Sequence, residues 1–149
     1  MSQDYESWNN EEECDYQVSP KLLSRISESI CAFGLLPFLV FFLWSGSVLA
    51  LIVVFNGVVF HILLPSSFWM KTFDICCNTV LVILVNIFAW NLFVTLLTCF
   101  AVLIFLINSN VGFQPIVKSL IHVFGVQVPL CAALIIAEAE KTYLYKIRI

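Results

Sequence analysis

His61, Asp74 and His122 are the histidine and acidic side chains that fall inside, or between, the long apolar runs of this sequence. Placing such a group at membrane depth costs about 3 kcal/mol or more, so each is a functional candidate by default. Two imidazoles and a carboxylate make an N/N/O set that can hold zinc and leave a fourth position for an activated water. His61 and Asp74 stand at the two ends of one short link, which lets them meet at a single interface. The competing reading puts both at the headgroup boundary, where water or backbone groups satisfy them at little cost. Asn56, Asn78, Asn86 and Asn91 are their uncharged company. An amide in lipid seeks a partner on a neighbouring helix, and such bonds contribute about 0.6–2 kcal/mol each. Packing accounts for these asparagines better than a pore does, because only Asn78 and Asn86 approach one helical face. The chain has no nucleophile elbow, phosphate-cradling glycine loop, GxxxG pair or Cys-x-x-Cys pair. No catalytic residue and no cofactor is therefore assigned.

The elements that must position these groups follow from charge. There are 42 consecutive residues without Asp, Glu, Lys or Arg between Glu28 and Lys71, and 43 between Asp74 and Lys118. A helix crosses a hydrocarbon core of about 30 Å with roughly 20 residues, so each run holds two crossings. With 149 residues, 61% hydrophobic and 11% charged, the chain has too little polar surface to cover a water-soluble globule. The reading is an all-α, polytopic membrane protein with two transmembrane helical hairpins. The first descends from Ser29 to Trp44, turns at Ser45-Gly46-Ser47 and returns from Val48 to Leu64, with Pro37 kinking its first leg. The second runs from Phe73 to Phe88, turns at Ala89-Trp90-Asn91 and returns from Leu92 to Ile107. Asn108 to Gly112 is a loop.

A third apolar stretch, Ser119 to Ala137, is long enough to span, yet it carries His122, Gly125, Gln127 and Pro129, which all weaken a crossing. It is expected as a fifth spanning helix or a re-entrant one. If it dips in and returns, all seven Lys and Arg fall on one side, the arrangement the positive-inside rule prefers, with the N-terminus cytoplasmic. The helical membrane domain covers 19–137. Before it, residues 1–18 hold six of the ten acids and few aliphatics, the composition of a disordered tail. Ser19 and Pro20 suit a helix start, and Leu22, Leu23, Ile26 and Ile30 follow at the spacing of a short interfacial helix. Residues 138–149 are expected as an interfacial tail. The N-terminus lacks the cationic and apolar pattern of a cleavable signal peptide, so the mature chain is expected to begin near Met1. Cys76 and Cys77, next to a membrane boundary, occupy a usual place for reversible S-palmitoylation. No basic patch exists to bind nucleic acid.

A His near the end of one helix, an Asp near the start of the next and a His on the last is a pattern that resembles the ceramidase-like membrane hydrolases. In that family these residues, with a second His four positions after the last, surround zinc. The resemblance implies an intramembrane zinc hydrolase with His61, Asp74 and His122 as ligands. Here Val126 stands where the second His of the pair would fall, and Gly57 where a serine would be expected before His61. The plan of two long apolar runs and a short link is also similar to reticulon and prenylated-Rab-acceptor hairpin proteins, in architecture only. The expected function is a non-enzymatic one, a structural or scaffold subunit of a membrane assembly or a membrane-shaping protein. Its expected partners are the bilayer and other membrane subunits or copies of itself. An oligomeric channel or transporter component is the first alternative, and the zinc hydrolase the second.

Overall fold

The computed structural model describes residues 19–64 and 68–147, with the backbone alone at 71 and 144–147. The expected acidic tail, the 65–67 part of the link and the last two residues lie outside the described residues. Every element within them is helical, and the helices form five rods. The first is α1 (Pro20–Phe33) followed by α2 (Leu36–Ser45), and the second is α3 (Val48–Val58), which ends in a π-helical turn, Val59–Leu63. Next come α4 (Phe68–Ala89) and α5 (Leu92–Asn110). The last rod joins α6 (Pro115–His122), a second π-helical turn (Val123–Gln127) and α7 (Val128–Ile147).

Among the described residues, four helices are long and apolar enough to cross a membrane: Pro20–Ser45, Phe68–Ala89, Leu92–Asn110 and Pro115–Tyr143. Their identity differs from expectation. The stretch that sequence left ambiguous lies within a 29-residue helix, and the expected return leg, Val48–Leu63, is the short one. Its 16 residues span about 24 Å, less than the hydrocarbon core. The amphipathic start at Pro20 forms α1, a 14-residue helix set off from α2 by the break at Gly34 and Leu35 within the one candidate span Pro20–Ser45.

Local chemistry explains the boundaries. Gly46 ends α2 in the left-handed region (φ 69°) and its N–H donates to Phe42 O at 2.7 Å, while Ser47 Oγ accepts from Ala50 N to start α3. Asn91 Oδ1 accepts from Phe93 N at 2.8 Å and caps α5. The first rod is interrupted in the turn that precedes Pro37, since the proline has no N–H to offer the carbonyl four residues back. The break falls at Gly34 and Leu35, and Pro37 sits in the first turn of α2, where its missing N–H has no intrahelical acceptor to lose. Ser19 places no side-chain cap on α1, and its carbonyl alone takes the first bonds, from Leu22 N and Leu23 N.

The last rod is the centre of the bundle. α6 packs on α1 and α5, and α7 packs on α2, α4 and α5. Ala133, Leu134 and Ala137 of α7 meet Phe38 of α2, Val85 of α4 and Val94 of α5 in one buried core. The residues that weakened this stretch as a crossing are the ones that make its contacts. Gly125 lets Ile104 of α5 approach, because a Cβ there would stand 2.5 Å from an Ile104 methyl. Pro129 follows the π-helical turn, where the proline's missing N–H would interrupt a regular ladder. α7 also continues without a break through the expected interfacial tail to Ile147.

Candidate functional site

Hydrogen bonds between rods divide the bundle into two ends. At one end, α1 meets α6 through Ser27 and Ser119, and Asn108 Nδ2 of α5 donates to Lys118 O at 2.9 Å. At the other, Glu138 of α7 accepts from Ser47 Oγ at 3.2 Å and Glu140 accepts from Asn91 Nδ2, so two acids clasp the two hairpin turns. Lys141 stands 5.3 Å over the Phe88 ring beside them.

The ionisable candidates gather toward the first end. His61 lies in the π-helical turn that ends the second rod, and His122 immediately precedes the other π-helical turn. Such turns admit one extra residue per turn and commonly mark functional positions. The two rings lie 6.2 Å apart, centroid to centroid, and Phe105 of α5 lies 6.3 Å from His122. His61 Nδ1 donates to the Glu28 carboxylate at 2.7 Å, with His61 buried and Glu28 half-buried. Asp74, on the second turn of α4, takes its bonds from amides: Asn56 Nδ2 of α3 at 2.7 Å and Asn78 Nδ2 at 3.2 Å, both to Oδ1.

His61 and His122 are thus brought together, and Asp74, which lines the same cavity, takes its hydrogen bonds from two asparagines. No group of three His, Cys, Asp or Glu among the described residues is placed to hold a metal ion. Of the four asparagines, Asn56 links two rods through Asp74, and Asn86 Nδ2 of α4 donates to Thr98 Oγ1 of α5 at 2.9 Å. Asn78 bonds within α4, and Asn91, at the turn, both caps α5 through Oδ1 and donates through Nδ2 to Glu140 of α7. Cys76 is exposed on α4 and Cys77 half-buried, and neither is in a disulfide.

Sequence reasoning missed two members of this region. Glu28 reads as the wet face of an interfacial helix, yet it is the partner of His61. Gln127 is buried and its Nε2 donates to Cys31 O at 3.1 Å, with its amide lying against Gly34. A Cβ on Gly34 would stand 1.7 Å from Gln127 Oε1, so the glycine at the rod's break is the space the amide needs. The available signal was that break: where α1 ends at Gly34, free carbonyls require a donor from another helix.

A cavity of about 310 Å³ lies against the cluster. His61, Asp74, Asn78 and His122 line one end and Phe38, Val53, Ala101 and Leu130 the other. His61 and its partner Glu28 also line a wider groove of about 900 Å³, together with Lys21 and Arg25.

No protein-family model, characterised protein or solved structure matches this chain. The reading of its function therefore rests on the geometry above.

Proposed function

We propose that the protein is a non-enzymatic, five-crossing membrane protein that serves as a structural or scaffold subunit of a membrane assembly. The observation that supports this is the use made of the interior polar side chains. Glu28 with His61, Asn56 with Asp74, Asn86 with Thr98 and Gln127 with Cys31 are all bonds between rods. In lipid, where apolar packing alone gives helices little reason to associate, such bonds set which helices meet. The outward faces of α4 and α5 then remain apolar and free to meet lipid or partner helices.

With five crossings, Lys21, Arg25, Lys71 and Lys118 fall on the side where α1 begins and Lys141, Lys146 and Arg148 on the other, and the positive-inside rule makes the side with four cytoplasmic. In a background without native cysteines, Gly112→Cys should label from the cytoplasmic side, and Trp90→Cys and Thr142→Cys from the other. Labelling of Thr142→Cys from the cytoplasm would replace the fifth crossing with a re-entrant helix. Purification in mild detergent followed by native mass tests the scaffold role. Stoichiometric partner subunits are expected; a clean monomer overturns the reading, and a defined self-oligomer favours the channel or transporter component.

The second reading, the zinc hydrolase, would use the neighbouring rings of His61 and His122, although no third His, Cys, Asp or Glu among the described residues completes a metal site with them. Metal analysis of the purified protein decides it, since zinc must be present and must be lost in His61→Ala.

A further inference from the structure

The cavity beside the polar cluster joins two chemistries in one space. Its residues that are also exposed are Ile75, Thr79 and Ile83 of α4 and Val102 and Leu106 of α5. The mouth therefore opens between these two helices, on the face that would meet lipid. α4 and α5 are tied near their turn by the Asn86–Thr98 bond, and the mouth lies toward the untied end of that hairpin. The inner wall is supplied by buried residues of the other rods, Leu35, Phe38, Val53, Val126 and Leu130 among them. At about 310 Å³ the space lies at the lower end of the range for ligand pockets, about 300–1,000 Å³.

Its polar end is rich in acceptors. Asp74 Oδ1 is held by two amides, and among the described residues no bond to Oδ2 is seen and no Lys or Arg is paired with the carboxylate. Asn56, which is not part of the cavity's lining, serves to hold Asp74 Oδ1. His122 brings a ring whose described neighbours are the rings of His61 and Phe105. A carboxylate in an apolar wall needs a donor, and an anionic head would meet like charge. Asp74 lies on the second turn of α4, so a head bound there sits near the membrane boundary while its chain reaches toward the bundle's middle.

We propose that this cavity binds a single-chain amphiphile from the surrounding membrane leaflet, entering between α4 and α5, with a head that carries N–H or O–H donors. The chain lies against Phe38, Val53, Ala101 and Leu130, and the head donates to Asp74. This goes beyond the scaffold reading, and neither stands or falls with the other.

The full chain in lipid nanodiscs tests it by native mass, with three probes of equal chain length added below their micelle concentrations: a primary alkylamine, a 1-monoacylglycerol and a fatty acid. One equivalent of amine or monoacylglycerol should be retained and the fatty acid should not. Asp74→Asn should weaken the amine about tenfold or more and the monoacylglycerol less, because a charge-assisted bond is lost in the first case only. Retention of the amine alone identifies a cationic head, and retention of both a hydroxyl-compatible one. Thr79→Trp fills the mouth and should abolish retention of every probe. That variant keeps the test decisive if Asp74→Asn does not fold. Fatty acid bound as tightly as the amine, no probe retained, or retention unaffected by Thr79→Trp would each overturn the proposal.

Discussion

The last rod and the α4–α5 hairpin make opposite use of their side chains. α5 has the higher mean hydropathy, 2.4 against 2.2 for Pro115–Tyr143, yet only 17% of its apolar 18-residue stretch is buried against 44% of the corresponding stretch in the last helix. In water this order would be perverse. In lipid it is expected, because an apolar side chain loses nothing by facing hydrocarbon while Gln, Gly, Ser and His gain from facing another helix. Phe100, Leu103 and Ile107 point outward from α5, whereas Ser119, Gln127, Ala133 and Ala137 of the last rod are buried. Polarity and small size therefore locate the interior of this bundle better than hydrophobicity does.

Substitutions that reverse this contrast should rank accordingly. Gly34→Leu should have the largest effect, about 2–4 kcal/mol in unfolding from mixed micelles, since it overfills the space taken by Gln127 and breaks the bond to Cys31. An unchanged unfolding midpoint would mean that the last rod is not seated on α1 as described. Glu28→Ala should cost about 1–2 kcal/mol, less than a fully buried charged bond because Glu28 is partly exposed. A double-mutant cycle with His61→Phe should recover most of that as coupling, and additive losses would argue against the pair. Asn86→Leu should cost about 0.6–2 kcal/mol by loosening the α4–α5 hairpin at Thr98, read by the same titration. Phe100→Ala and Leu103→Ala on the outer face of α5 should stay within about 0.5 kcal/mol in detergent. A loss of partner subunits on purification of either variant, at unchanged stability, would locate the assembly face and sharpen the contrast further.

Much of the architecture was legible. The charge-free runs specify paired helices, and the turns at Gly46 and at Trp90-Asn91 fall where small or polar residues stand. The standing of the last stretch was less so, for a physical reason. His122, Gly125, Gln127 and Pro129 weaken a helix judged alone in lipid, and their compensation comes from α1 and α5, which a local reading does not contain. The same holds for the cluster. His61, Asp74 and His122 are conspicuous as ionisable groups, but Glu28 is outside the apolar run and Asn56 gives no sign that its donor serves Asp74. Pairings across rods depend on helix rotation, and a sequence pattern fixes rotation only where one face differs sharply from the other.

The π-helical turn inside the last rod sets that rotation. It adds about one residue beyond a regular turn and so advances the phase of α7 by roughly 100°. Removing a single residue from Val123–Gln127 would swing Glu138 and Glu140 away from Ser47 and Asn91, although those acids lie some ten or more residues further along. A one-residue deletion beside His122 would thus unclasp the opposite end of the molecule, so the histidine end and the acidic end are held in a common angular frame.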